Sequence, residues 1–422
     1  MVPVAKGEPM SRIVSALLVL SFFGFGTFGE AQNVVFVGSS ATPGTARDVF
    51  VSGSYAYIAD DSSGLQILDV STPSSPALTG SCDTPGRANG VFVSTDYAYI
   101  ADGDSGLQIV DITIPSNPTL SGNCNTPGQA LDCFAIAGAH AYLADGTSGF
   151  RVISIGDPTN PFEKGSYDTP GEACDIVLSG NYAFVADADS GLQIIRITAP
   201  VSPSLTGSCD TPGTARGVYV SGDYCYVADG AFGLQIIDIS DLTTPIIVGT
   251  YDTPGNAMDV FISDDLAYVA DESFGLQVID VSDPSSPEFV AAYDTPGSAL
   301  GVHLSGEYIF VADSSSLQIL QLIPLGIPYE EASLPERPQL FQNYPNPFNT
   351  STVFRYSLPR ESEVMIAIHD PLGRRVRTLA EGRQPAGFHS VIWDAHDVAS
   401  GFYFFSIQAG QFSQKRTCIL LK

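Results

Sequence analysis

The chain of 422 residues is 44% apolar and carries 41 Gly and 29 Pro, which excludes a disordered polymer and points to a turn-dense folded β protein of two or three domains. Its formal charge of −28 is uneven: residues 33–338 hold 7 Lys and Arg against 38 Asp and Glu, whereas residues 339–422 hold 9 against 6. So acidic a central region excludes nucleic acid and anionic membrane surfaces as partners and favours cations, basic partners or plain solubility.

Arg12, an apolar run from Ile13 to Phe28 and the exit Gly29-Glu30-Ala31 read as a secretory signal over residues 1–31, with Met10 as an alternative start. A membrane anchor needs roughly 20 apolar residues, and no segment reaches that length, so the mature chain is expected to be exported and to lack a transmembrane segment. The seven cysteines suggest no disulfide framework and no zinc site: Cys82, Cys124 and Cys209 occupy one slot of three repeats, and no Cys-x-x-Cys occurs.

From residue 33 the chain repeats itself. Thr-Pro-Gly begins at Thr42, Thr84, Thr126, Thr169, Thr211, Thr253 and Thr295, a spacing of 42 residues with one step of 43. That period, filled with short alternating apolar runs, signals a propeller or solenoid. The second copy contains four strand signals, at 90–93, 97–101, 107–112 and 119–124, separated by Gly, Asp, Ser and Pro clusters. Four antiparallel strands per repeat make one propeller blade. The segment 34–39 matches a fourth strand, while the last copy stops after its third strand at 317–322. Residues 32–325 are therefore expected to form a seven-bladed, all-β propeller closed by its own N-terminal strand, leaving no open sheet edge.

The third strands read Leu65-Gln-Ile-Leu-Asp69, Leu107-Gln-Ile-Val-Asp111, Leu234-Gln-Ile-Ile-Asp238 and Leu276-Gln-Val-Ile-Asp280. On these segments the repeat resembles the LVIVD-repeat family, which implies a β-propeller of extracellular bacterial proteins. Copies three, four and seven replace the terminal Asp with Ser154, Arg196 and Gln321 but keep the strand. The family has no agreed activity, so the resemblance implies no catalytic residues.

In a meander alternate loops share a face. The loops at Asp60, Asp102, Asp145, Asp187, Asp229, Asp271 and Asp313 are thus expected beside the Thr-Pro-Gly turns and the preceding Asp83, Asp168, Asp210, Asp252 and Asp294. The seven loop aspartates have two readings: a ligand-binding face, or turn geometry through side-chain bonds to nearby N–H groups. Asp102-Gly-Asp104 and Asp187-Ala-Asp189 supply clustered hard oxygens suited to calcium, although Thr113 and Thr198 stand where an EF-hand carries its bidentate acid. No cofactor is required by any motif.

Asp48, Asp132, Asp175 and Asp259 start innermost strands and alternate irregularly with Gly90, Gly217 and Gly301, placing carboxylates around the axial channel. An extracellular, glycosidase-like hydrolase using Asp132 or Asp175 is the alternative this pattern leaves open. The chain has no Gly-x-Ser-x-Gly elbow, and the repeat region holds only His140 and His303. The third copy breaks symmetry with one inserted residue, read as a bulge, with Phe150-Arg151 for Leu-Gln, and with His140 in a Tyr slot. Arg47, Arg87 and Arg216 are the other departures.

Residues 326–338 read as a Pro/Glu linker. Strand signals at 352–358, 363–369, 375–379, 389–393, 401–408 and 415–421 then suggest a small antiparallel sandwich over 339–422. Leu340-Phe-Gln-Asn-Tyr-Pro-Asn-Pro-Phe-Asn349, Asp370-Pro-Leu-Gly-Arg-Arg-Val376, Ala399-Ser-Gly-Phe-Tyr403 and the terminal Lys422 resemble the type A sorting domain of the type IX secretion system. They are also similar to the immunoglobulin-like hook-capping domain. These resemblances imply passage across an outer membrane by a secretion machinery, then release or surface attachment. The expected function is a non-enzymatic binding, adhesion or scaffold module that meets a surface glycan or protein.

Overall fold

The computed structural model describes residues 32–136, 138–324, 337–341, 343, 351–384, 387–395, 398–410 and 412–420. The signal-peptide assignment and nearly all of the linker lie outside them. The chain divides into two compact units, Met1–Gly326 and Ile327–Lys422.

The first unit is built of seven four-stranded antiparallel sheets. In blade one the strands are Asp48–Ser52, Tyr55–Ala59, Leu65–Asp69 and Ala77–Cys82, hydrogen-bonded in chain order. The innermost strand alternates as a half-covered strand must, with Val49 and Val51 buried and Asp48 and Phe50 turned toward the axis. Leu65, Gln66, Ile67 and Leu68 of the third strand are all buried, because the adjacent blades cover both faces of the sheet. Ile58 and Leu68 pack on Phe310 and Ile319 of blade seven, while Tyr57 and Ile67 pack on Val91 and Ile100 of blade two. One shared hydrophobic layer between each pair of blades therefore carries the ring.

The ring is closed by the N-terminal strand. Gln32–Ala46 runs antiparallel to Ser314–Pro324, with Val34 opposite Leu322 and Ser40 opposite Leu317, as the outer strand of blade seven. It is longer than the 34–39 read from the sequence and absorbs two irregularities, at Phe36/Gly38 and Ala41/Ala46. Strand-four bulges recur in the other blades, as at Ile67/Leu68 and Ile109/Val110. The extra residue of the third copy is not a bulge, contrary to the sequence reading. Ile136 pairs directly with His140, as Ser94 pairs with Tyr97 in blade two, so the two strands flanking the insertion keep an uninterrupted register.

The second unit holds two sheets. Gln339–Leu340, Ser351–Leu358 and Gly387–Asp394 form one; Arg375–Gln384, Ser362–His369, Gly401–Ala409 and Phe412–Leu420, in that order, form the other. A single core joins them, in which Phe354, Trp393 and Phe405 are fully buried.

Candidate binding face and axial cavity

Each Thr-Pro-Gly turn is gripped by the loop aspartate of its own repeat. Thr84 Oγ1 donates to Asp102 Oδ1 at 2.6 Å and the Gly86 N–H to Oδ2 at 2.8 Å. Thr211 and Gly213 do the same to Asp229, and Thr253 and Gly255 to Asp271. Asp60, Asp102, Asp145, Asp187, Asp229, Asp271 and Asp313 are all fully buried. Burial holds their carboxyls above the ordinary range, Asp271 at about 6, against the opposing pull of the hydrogen bonds. The ligand-face assignment of these seven is thereby corrected: their oxygens are turned into the turn and do not reach the surface.

The acidity of the face comes instead from Asp83, Asp168, Asp210, Asp252 and Asp294, which precede the turns and are exposed, with Asp104 and Asp189 beside them. The calcium pairs do not converge. Asp102 and Asp187 are buried in their clamps, whereas Asp104 and Asp189 point outward, and Asp189 accepts a bond from Thr214 at 3.1 Å. Among the described residues no group of three or more His, Cys, Asp or Glu is placed to hold a metal ion.

The axial cavity, about 390 Å³, is layered by strand periodicity. Asp48, Asp132, Asp175 and Asp259 line its first layer, toward the Thr-Pro-Gly face. Two residues further along each strand, roughly 6–7 Å deeper, stand Phe50, Phe92, Phe134, Val177, Tyr219, Phe261 and His303. The carboxylates lace blades together. Asp48 accepts the N–H of Val49 at 2.7 Å and that of Val91 in the next blade at 2.8 Å; Asp175 and Asp259 reach Val218 and Val302 in the same way. Asp132 is different, because its next blade carries Asp175 instead of Gly. Its bond to the Ile176 N–H stretches to 3.3 Å, since Asp175 takes that N–H at 2.6 Å, and burial together with the neighbouring Asp175 carboxyl pushes Asp132 well above the ordinary carboxyl range. Burial raises all four carboxyls, Asp48 to about 6, and pushes the His303 imidazole down to about 4, so that it is neutral at pH 7.

The residues before these innermost-strand starts are Arg47, Asn89, Leu131, Cys174, Arg216, Met258 and Leu300, a position that changes from blade to blade while the preceding Ala is constant. Arg47 is tied to Asp61 at 2.6 Å, and Arg87 lies 3.8 Å from the same carboxylate. The sequence reading noted Arg47, Arg87 and Arg216, and took the innermost-strand slot of Phe50, Phe92, Tyr219, Phe261 and His303 as packing, whereas these residues line the cavity. Arg151, by contrast, is structural: it is buried and lies within 3.5 Å of Asp145, Glu163 and Asp168. His140 lies on the outer side of its blade, 3.1 Å from the Lys164 amine, away from the cavity.

Among the described residues no helix is long and apolar enough to cross a membrane. Comparison with known proteins matches the LVIVD repeat at residues 43–84, 85–126, 127–169, 170–211, 212–253, 254–295 and 296–321. Residues 342–421 match the secretion system C-terminal sorting domain. No curated protein matches the chain. Among solved structures, the chain is similar to the WD40 β-propeller domain of Doa1, at 13% identity and TM-score 0.56, covering 68% of this chain and 96% of that one. It is similar to the β-propeller domain of Cps50 (Swd1) from Myceliophteria thermophila, at 11% identity and TM-score 0.56, covering 68% and 99%. The computationally designed Ika8 protein aligns at 8% identity and TM-score 0.51, covering 69% and 100%. At such identities the likeness is one of fold alone. The sorting domain indicates export by type IX secretion, to the outer surface or beyond the cell. With seven repeat matches spanning most of its length, the chain belongs to the LVIVD-repeat family, as a seven-bladed β-propeller with a C-terminal secretion sorting domain.

Proposed function

We propose that the protein is an exported, non-enzymatic binding module whose ligand, a surface glycan or protein, meets the Thr-Pro-Gly face and the mouth of the axial cavity. The carrying observation is that cavity: near-identical blades spend their other repeated side chains on packing, yet they aim carboxyl, aromatic and imidazole groups at one shared space. Residues 1–31 act as the signal peptide in this reading, and the C-terminal sandwich, immunoglobulin-like in type, engages the secretion machinery before release or surface attachment. The full chain passed over immobilised glycans and outer-surface proteins is expected to bind saturably. The same preparation is expected to release no product from polysaccharide or peptide substrates. In a host with type IX machinery, deletion of residues 339–422 is expected to trap the propeller inside the outer membrane; unimpaired export of the truncated chain would refute the sorting role.

The second reading, an extracellular hydrolase, draws on the Asp132–Asp175 pair, since two neighbouring buried carboxyls with raised proton affinity are an acid/base arrangement. Both, however, close on the one Ile176 N–H, at 3.3 and 2.6 Å, which leaves little room between them for the bond that glycosidase carboxyls flank. Turnover that disappears in Asp132→Asn would favour it. Calcium enters only as an outer-face ion at Asp104 or Asp189, so equal melting temperatures in millimolar calcium and in chelator are expected.

A further inference from the structure

We propose that the axial cavity is a receptor for an alkylammonium group, carried by a free amine or by a lysine side chain. This rests on the binding-module reading and gives its ligand a chemistry. The wall is the first ground. From Phe134 through Phe92, Phe50, His303 and Phe261 to Tyr219, successive ring centroids lie 4.3–5.1 Å apart, a girdle interrupted only at Val177. Aromatic π surface around a cavity attracts a cation through the ring quadrupole, and more strongly when water is excluded.

Charge complementarity is the second ground. The cavity is lined by four carboxyls and by no Lys or Arg, and its one imidazole is neutral. Arg47, which precedes the first strand start, is tied to Asp61, and neither it nor Arg216 is among the lining residues. The form of the carboxylates narrows the ligand further. Both oxygens of Asp48, Asp175 and Asp259 are held by backbone N–H groups, so these side chains cannot swing to meet sugar hydroxyls. They fix carboxyl oxygens around the mouth, where an incoming cation favours the charged form of groups that burial has raised, and the aromatic layer offers only the Tyr219 phenol oxygen toward a metal shell. The volume, about 390 Å³, falls within the ~300–1,000 Å³ of small-ligand sites.

Tetramethylammonium, spermidine, tert-butanol and maltose titrated calorimetrically into the full-length protein test this. The two ammonium ligands are expected to bind saturably, with the neutral isostere and the sugar at least tenfold weaker. Phe92→Leu removes a ring and no charge, and is expected to weaken tetramethylammonium about two- to thirtyfold. Asp259→Asn removes the ionisable group together with one of its two backbone acceptor bonds, with a loss of tenfold or more expected in a protein whose melting curve verifies the fold; Asp283→Asn, on an exposed loop, is expected to change nothing. Val177→Phe, which grows into the cavity while removing no hydrogen bond, should block binding in a protein whose melting curve verifies the fold. Equal binding of tetramethylammonium and tert-butanol, preference for maltose, or full affinity in Asp259→Asn overturns the proposal. An N-acetyl-lysine-amide probe run against spermidine assigns the carrier by the tighter of the two, and binding of neither overturns the proposal. If the Val177→Phe protein captures its glycan or protein partner as well as the wild type does, this inference fails while the binding-module reading stands; absence of any such partner for the wild type sinks that reading instead.

Discussion

Asp102 shows how a repeated acidic residue becomes structural. Its two oxygens satisfy the Thr84 hydroxyl and the Gly86 N–H in a site with no access to water, so the turn and the loop are one unit. Asp102→Ala leaves both donors without an acceptor, and a loss of about 2–4 kcal/mol in urea unfolding is expected. Asp102→Asn keeps an acceptor for one donor and should lose roughly half as much. A neutral result in Asp102→Ala would return this residue to the pool of binding candidates. The distinction was not legible in the sequence, because Asp at a tight loop suits both a surface site and a turn. Only the direction of the side chain separates them.

At the scale of the strand, two sequence patterns record how closely blades approach. A Cβ on Gly80 would lie 2.1 Å from the carbonyl oxygen of Pro115 in the next blade, and one on Gly38, Gly122, Gly165, Gly207 or Gly249 would meet the equivalent loop. Blade six carries Ala291 at this position, and the neighbouring blade seven has no such loop because its outer strand comes from the N-terminus. Gly80→Ala is therefore expected to cost about 2–3 kcal/mol, whereas Ala291→Gly should cost under ~1 kcal/mol; equal effects in chemical denaturation would contradict this account. The second pattern is the order Asp, Gly, Asp, Asp, Gly, Asp, Gly around the channel. Seven is odd, so strict alternation cannot close, and one like pair must meet. In this chain it is Asp132 beside Asp175. The irregular alternation read from the sequence is thus where the ring's parity sets two carboxyls side by side.

For the whole molecule, closure and charge set the stability. Removing residues 32–41 from the mature chain strips the outer strand from blade seven and bares the edge of Ser314–Pro324. Loss of the sharp cooperative transition, with aggregates on a sizing column, is the expected outcome; a monomeric chain of unchanged melting temperature would argue against ring closure as a stabilising element. The pH dependence follows from the buried carboxyls. Asp48 and Asp271 titrate at about 6 when folded, against 3.8 for an ordinary carboxyl, so the folded chain holds protons that the unfolded chain has released. That contribution is complete below about 3.8 and lost as pH rises through 6. Half-buried Asp111 and exposed Asp157 and Asp241, lowered by their bonds to Thr113, Thr159 and Thr243, act in the opposite sense and withdraw their stability only in stronger acid. The melting temperature should rise as pH falls from 7.5 to about 5 and turn down below about 4; a steady fall from 7.5 would show that the carboxyls are ionised in the fold.

The repeat period, the four strand signals per copy and the split of blade seven between the two ends determined the propeller from sequence alone. Hydrophobic alternation and turn residues are local properties, and seven copies of them leave little ambiguity. The aspartates needed the tertiary structure. Whether Asp102 meets solvent or Thr84, and whether Asp132 meets Gly or Asp175, depends on atoms 18 and 43 residues away. Spacing along the chain does not encode such a meeting until the blades are packed side by side and the ring is closed.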